Sequence, residues 1–257
     1  MTTGAKLGLG LLGFVVALAA ITALLGWWVL DGSTTRPRVV RSRLTIVVET
    51  PEGERTGSSV TQLMSYFPGG LTRAQGWSLI HQLAGEVVVV DLGQRGVLFS
   101  TFERQSILVR SGGDAYNAGL APFPQDKFRG DYPLQASINQ KYAAYLDDLN
   151  RLKPKSELSL EDVPALVRFG NLNDPTSVTL VNPRDLAASF GPGVTFKSAT
   201  VEITDDPITH SIEARLPWLK TSSEAPTLFP QGTLPIYQKD TLPVQNLRFT
   251  DFRRLPR

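Results

Sequence analysis

The chain has 257 residues, 42% of them hydrophobic, a formal net charge of +2 and no cysteine, which is length enough for an anchor and a domain with a proper core. The missing cysteine excludes disulfides, thiolate nucleophiles, Cys-ligated zinc, iron–sulfur centres and lipoprotein-type acylation. Arginines crowd two places, Arg36, Arg38, Arg41 and Arg43 after the first apolar run and Arg248, Arg253, Arg254 and Arg257 at the C-terminus. With these and Asp251 set aside, 18 basic groups face 23 acidic ones. A body of that balance excludes a nucleic-acid platform, which needs a basic face.

Residues 1–6 read as a short tail. From Leu7 to Leu30, "LGLGLLGFVVALAAITALLGWWVL", 24 residues carry no charge. As a helix that run is roughly 36 Å long, sufficient to cross a hydrocarbon core of about 30 Å. A cleaved secretory signal has a shorter apolar stretch of about 7–15 residues. The small-residue pattern Ala17-Leu18-Ala19 lies in mid-run, so an uncleaved single span over 7–30 is the expectation. Trp27 and Trp28 end the run, where indoles favour the headgroup layer. Arg36, Arg38, Arg41 and Arg43 are candidates for contact with anionic lipid, at about 1 kcal/mol each near the surface; the plainer reading is a solvated strand. Counting basic groups alone places the arginine side in the cytoplasm. Large domains cross regardless of charge, however, and Arg41 and Arg43 alternate with Ser42 and Leu44 as the outer face of a strand would. The expectation is a signal-anchor in a bacterial inner membrane with residues 31–257 in the periplasm.

Residues 31–220 read as a soluble α+β domain. "SRLTIVVETPEGERTGSSVTQLM" (42–64) predicts a β-hairpin: Leu44, Ile46 and Val48 alternate with Thr45, Val47 and Glu49, and Pro51 and Gly53 supply the turn. "GEVVVVDLGQRGVLFSTF" (85–102) predicts a second hairpin, its four valines forming a strand buried on both faces. The segment 111–133 has no periodicity and is expected to be functional or mobile. "LQASINQKYAAYLDDLNRL" (134–152) predicts the long helix, with Leu134, Ile138, Tyr142, Tyr145 and Leu149 on one stripe. "NPRDLAASFGPG" (182–193) predicts a short helix capped by Asn182, with Pro183 and Asp185 in its first turn and Gly191 ending it. Strands at 177–181 and 195–204 flank that helix, which should pack on one face of a mostly antiparallel sheet. The prolines of 221–257 forbid regular ladders, yet Phe229, Tyr237, Phe249 and Phe252 are too apolar for a free tail; an extended strap is expected. The fold class is therefore α+β: an N-terminal transmembrane helix, then a mostly antiparallel β-sheet domain with one long and one short helix.

Signals for chemistry are weak. "VVVVDLGQRG" (87–96) is like a phosphate-cradling turn, but strand rather than helix follows, so a hairpin turn is the better reading. "DDPITHSIE" (205–213) sets His210 among Asp205, Asp206 and Glu213; Pro207 splits it, and in a strand His210 and Glu213 face opposite ways. The doublets Asp147-Asp148, Glu161-Asp162 and Asp205-Asp206 diverge rather than converge. "GSSV" (57–60) lacks the context of a serine nucleophile. Trp218 reads as a core aromatic at a strand end rather than a partner anchor. No catalytic residue, metal or cofactor is assigned.

The stretches 164–219 and "RLTIVVETPEGERTGSSV" (43–60) resemble a family of uncharacterised single-span proteobacterial membrane proteins of unknown function. The resemblance covers under a third of the chain. It implies an anchor-plus-domain layout and a bacterial origin, and it carries over no functional residue. Two functions from different classes stand open. One is a non-enzymatic envelope protein that binds or scaffolds a partner. The alternative is a membrane-tethered hydrolase or metal-dependent enzyme using His210 with the loop carboxylates Asp114, Asp126 and Asp131.

Overall fold

A computed structural model of the chain describes residues 16–26, 35–67, 80–103, 119–124, 138–220, 228 and 247–255. The chain divides into two compact units, Met1–Arg38 with Ser65–Ile80 and Val39–Met64 with His81–Arg257. In the first, helix α1 covers 16–26. Its large apolar side chains Val16, Leu18, Ile21, Leu24 and Leu25 are all more than half exposed. Thr22 is its one polar side chain, and its hydroxyl donates back to the carbonyls of Leu18 and Ala19, which keeps it satisfied without water. The remaining parts of the apolar run, 7–15 and 27–30, lie outside the described residues. Among the described residues no helix is long and apolar enough to cross a membrane.

The second unit is α+β with two mostly antiparallel sheets. One sheet has six strands in the order β10-β3-β2-β1-β9-β6. These are β1 Thr35–Thr50, β2 Gly53–Phe67, β3 Ile80–Glu86, β6 Lys155–Glu157, β9 Thr195–Ile203 and β10 Arg253–Arg254. The predicted first hairpin is there, and its strands, Thr35–Thr50 and Gly53–Phe67, are longer than the 42–64 pattern. Ile46 and Val48 of β1 are wholly buried, and Val40, Ser42 and Thr50 in the same parity are buried too. β9 is the other neighbour of β1, in register from Ser42↔Ile203 to Glu49↔Thr195 with a bulge between Val47 and Val48. At the turn Gly53 has φ 113°, a conformation that favours glycine, and the Thr50 hydroxyl closes onto the Gly53 carbonyl at 2.7 Å.

The second sheet has four strands in the order β4-β5-β7-β8: β4 Val89–Asp91, β5 Val97–Phe99, β7 Leu166–Phe169 and β8 Val178–Val181. The second predicted hairpin is the β4–β5 pair, with Val90 opposite Leu98, and its turn is a single 3-10 turn, Gly93–Arg95. The four valines are not one strand, however. β3 ends at Glu86 in the six-stranded sheet, Val87 and Val88 cross over, and β4 begins at Val89 in the other sheet. Burial on every side gives these valines the same composition as a continuous strand, which is why the sequence pattern could not separate them.

Helix α2, Ile138–Leu152, buries Tyr145, Leu146 and Leu149, and Asn150 ties it to β1 by donating to the Val39 carbonyl at 2.7 Å. Residues 134–137 of the expected helix lie outside the described residues. The expected helix over 182–193 is a single turn, α3 Ala187–Phe190. Asn182 instead accepts from the Arg184 N–H in a local turn, and Asp185 accepts from Ala188 N–H at the helix start. The N-cap position itself falls on Leu186, which offers no side-chain cap, so the expected capping by Asn182 is not seen. Gly191, at φ 91°, does end it. The strands on either side, β8 and β9, belong to different sheets, so this segment connects the two sheets.

The main core joins Val87, Phe99, Val167, Phe169 and Val178 to Ile212, Leu216 and Leu219, and also to Leu228, Leu247 and Phe252. Trp218 packs against this cluster as expected of a core aromatic, edge to face with Phe249 and Phe252 and with its indole N–H on the Leu172 carbonyl at 3.0 Å. It lies in a 3-10 turn, Pro217–Lys220, not at a strand end. Residues 221–227 and 229–246 of the expected strap lie outside the described residues. The C-terminal part adds β10 to β3 through Arg253↔Glu86 and Arg254↔Gly85.

Candidate functional site

Sequence chemistry first dictates how closely the two sheets meet. At Gly57 of β2 a β-carbon would lie 2.1 Å from the Val89 carbonyl oxygen, so only glycine lets β2 pass β4 at that distance. Two residues further along β2, in the same inward parity, comes a polar seam. Ser59, Ser42, Ser100, Thr101 and Glu86 are all buried there. They line a small cleft with Thr61 and the apolar Leu44, Val87, Val88 and Phe102. Its volume is about 20 Å³, the size of a water site rather than of a metabolite pocket.

Glu86 anchors the seam. A buried carboxylate must be compensated by donors or cations. Here the donors come from the turn that opens the 3-10 helix Ile212–Ala214. Ser211 N–H reaches both carboxylate oxygens at 2.7 Å, the Ser211 hydroxyl donates to Oε1 at 2.7 Å, and Ile212 N–H donates to Oε2 at 2.9 Å. The Glu86 carbonyl accepts from the Ser59 hydroxyl at 2.6 Å. A side chain from β3 thus caps a turn 125 residues away. The neighbouring Thr209 exchanges two hydrogen bonds with Val60 of β2. His210, held on both sides, is itself exposed.

The carboxylates around His210 do not gather on it. Asp205 pairs with Lys153, Asp206 with Arg43, and Glu213 with Arg253. Among the described residues no group of three or more His, Cys, Asp or Glu side chains converges. Asp114, Asp126 and Asp131, the loop carboxylates of the enzymatic reading, lie outside the described residues, as does most of 111–133. Of the four arginines after the apolar run, Arg41 donates to Gln62 at 2.9 Å and to the carbonyls of Asp205 and Asp206, and Arg43 pairs with Glu202 and Asp206. Both are on the outer face of β1, as their alternation with Ser42 and Leu44 predicts.

A second polar assembly fixes the turns at the Thr50 end of β1. Arg95 grips Glu52 with two bonds of 2.9 Å and donates to the carbonyls of Phe190 and Pro192. One guanidinium therefore joins the 51–52, 93–96 and 190–193 turns. The Arg95 hydrogen bonds hold the Glu52 carboxyl well below its usual range, at about 2. Asp91 is lowered by the Gly93 N–H and then by Arg215. Burial, with Tyr142 nearby, raises the Tyr145 phenol, whose hydroxyl donates to the Phe123 carbonyl at 2.7 Å.

No family model, curated protein or solved structure matches the chain. The arrangement that stands out is a buried carboxylate among hydroxyls, with its lone pairs taken by protein donors. It fixes the 211–212 turn to the six-stranded sheet. The sequence reading passed over Glu86, although a lone acid leading a run of four valines is a signal: a charge at the head of so apolar a strand has to find partners when it is buried.

Proposed function

We propose that this chain is a single-span membrane protein of the bacterial envelope, and that its α+β body binds or scaffolds a protein partner without catalysing a reaction. The observation that carries the reading is the uncharged run 7–30 together with the side chains of α1. An 11-residue helix (16–26) that exposes every one of its large apolar side chains is costly in water, at roughly 25 cal/mol per Å², and is at home in hydrocarbon. On this reading the transmembrane helix extends over 7–30, with Trp27 and Trp28 at its edge. Arg36 and Arg38 then meet anionic headgroups, while Arg41 and Arg43 serve the fold through Gln62, Glu202 and Asp206. The resemblance of 164–219 and 43–60 to single-span proteobacterial proteins supports the same layout.

The binding role is supported by how the described polar side chains are spent. They lock turns and sheets together rather than converging on a reacting centre, and a rigid scaffold presenting loops is what a binding module needs. Crosslinking in intact cells followed by capture of the detergent-solubilised full chain tests this. A protein partner recovered in constant stoichiometry is expected; repeated recovery of the chain alone would contradict the reading.

A further inference from the structure

The cleft beside Ser100 leaves hydrogen-bonding capacity unspent. Ser100 is 2% exposed, and its Oγ accepts from the Val88 N–H at 2.9 Å. A hydroxyl also carries one donor, and among the described residues no acceptor takes the Ser100 hydroxyl hydrogen. Across the cleft, Ser42 Oγ and Thr61 Oγ1 lie 3.4 Å apart. Two hydroxyls sharing one bond leave a second hydrogen over. Buried donors without partners cost their full desolvation, and such groups in folded proteins are almost always paired with protein or ordered water.

We infer that this cavity is the site of one internal water molecule, which bridges the two sheets by accepting from Ser100 and bonding the Ser42–Thr61 pair. The volume of about 20 Å³ exceeds the roughly 10–15 Å³ that one water needs by this measure and falls short of two. The chemistry selects water over a cation, because the spare hydroxyl hydrogens need an acceptor, which water supplies and a cation does not. Glu86 is the charged side chain on the lining, and its carboxylate is already held by Ser211 and Ile212. The lining is part hydrocarbon, from Leu44, Val87, Val88 and Phe102, but the unspent Ser100 hydroxyl sets it apart from the wholly apolar cavities that stay dry. The position is apt: the cleft sits where Val87 and Val88 carry the chain from one sheet to the other, and a bridging water there is enthalpically nearly as good as a direct bond.

A crystal structure of the full chain, at a resolution that shows ordered solvent, should contain a single peak within hydrogen-bond distance of Ser100 Oγ. An empty cleft, or a peak ringed by five or more oxygens at about 2.4 Å as a hard cation requires, would overturn the inference. A thermal melt in detergent gives an independent readout. Ser42→Thr adds a methyl that takes the water's place. If water is there, Tm falls by roughly 2–6 °C because the Ser100 hydroxyl is stranded, and the drop disappears in the Ser100→Ala background. A rise in Tm on Ser42→Thr alone would mean that an empty void had been filled and would refute the bridge.

Discussion

An alanine at Gly57 would place its methyl carbon 2.1 Å from the Val89 carbonyl oxygen, a separation that backbone on both sides cannot relieve without moving β2 away from β4. Gly57→Ala is accordingly expected to destabilise by about 2–4 kcal/mol, more than ordinary overpacking of a side chain. Urea unfolding checks this, and a change within about 0.5 kcal/mol would mean that the sheets are not packed so closely. At Glu86 the cost arises from chemistry rather than volume. Glu86→Gln keeps the shape but gives the Ser211 and Ile212 donors one acceptor oxygen where there were two, and an NH₂ group faces the other donor. Bonds to a charged acceptor are worth about 1.5–3 kcal/mol, so a loss of that order is expected, with earlier proteolysis around 205–216. Glu86→Gln as stable as the wild type would show that the cap is decorative.

The Arg95 clamp makes an element-scale claim, that three turns move as one. Its pH dependence has a definite sign. The folded Glu52 carboxyl titrates near 2, below its ordinary 4.5. Its contribution is therefore complete above about 4.5 and is lost as pH falls from there towards 2. Carboxyl-detected NMR on the full chain in micelles should show Glu52 titrating near 2, and Arg95→Ala should return it to the ordinary range. An unshifted Glu52 in the wild type would contradict the clamp. At the C-terminus, Phe252 is wholly buried in the core with Leu247. Phe252→Ala should cost about 3–5 kcal/mol, whereas a cost below about 1 kcal/mol would mean that the C-terminal residues are not part of the core. Both hairpins and helix α2 were legible because each is a local pattern: period 2 about Ile46 and Val48, a glycine turn at 93–96, a 3.6-residue stripe through Tyr145 and Leu149. Strands β6 and β10 were not. "KSE" carries no apolar signal, and it becomes a strand only because the chain leaves α2 alongside β9, where Ser156 faces Val201. The division of the valine run between two sheets was hidden for a related reason. It depends on Gly57 approaching β4 and on Glu86 reaching Ser211, contacts between residues far apart in the chain. The candidate site was equally long-range: His210 drew attention by its neighbours in sequence, yet those carboxylates turn to Lys153, Arg43 and Arg253.

At the scale of the molecule, the proposal requires the apolar run 7–30 to hold the body at one membrane face, with the body outside the cytoplasm. The arginines after the run pull against that orientation by the positive-inside bias. Arg41 and Arg43 have intramolecular partners in the fold, which lessens the weight of the count on that side. The most direct test is a pair of fusions after Arg257, one to alkaline phosphatase and one to green fluorescent protein, read in the same cells. Membrane-bound material with active phosphatase and a dark fluorescent protein is the expected result. Inactive phosphatase with bright fluorescence would place residues 31–257 in the cytoplasm and contradict the account.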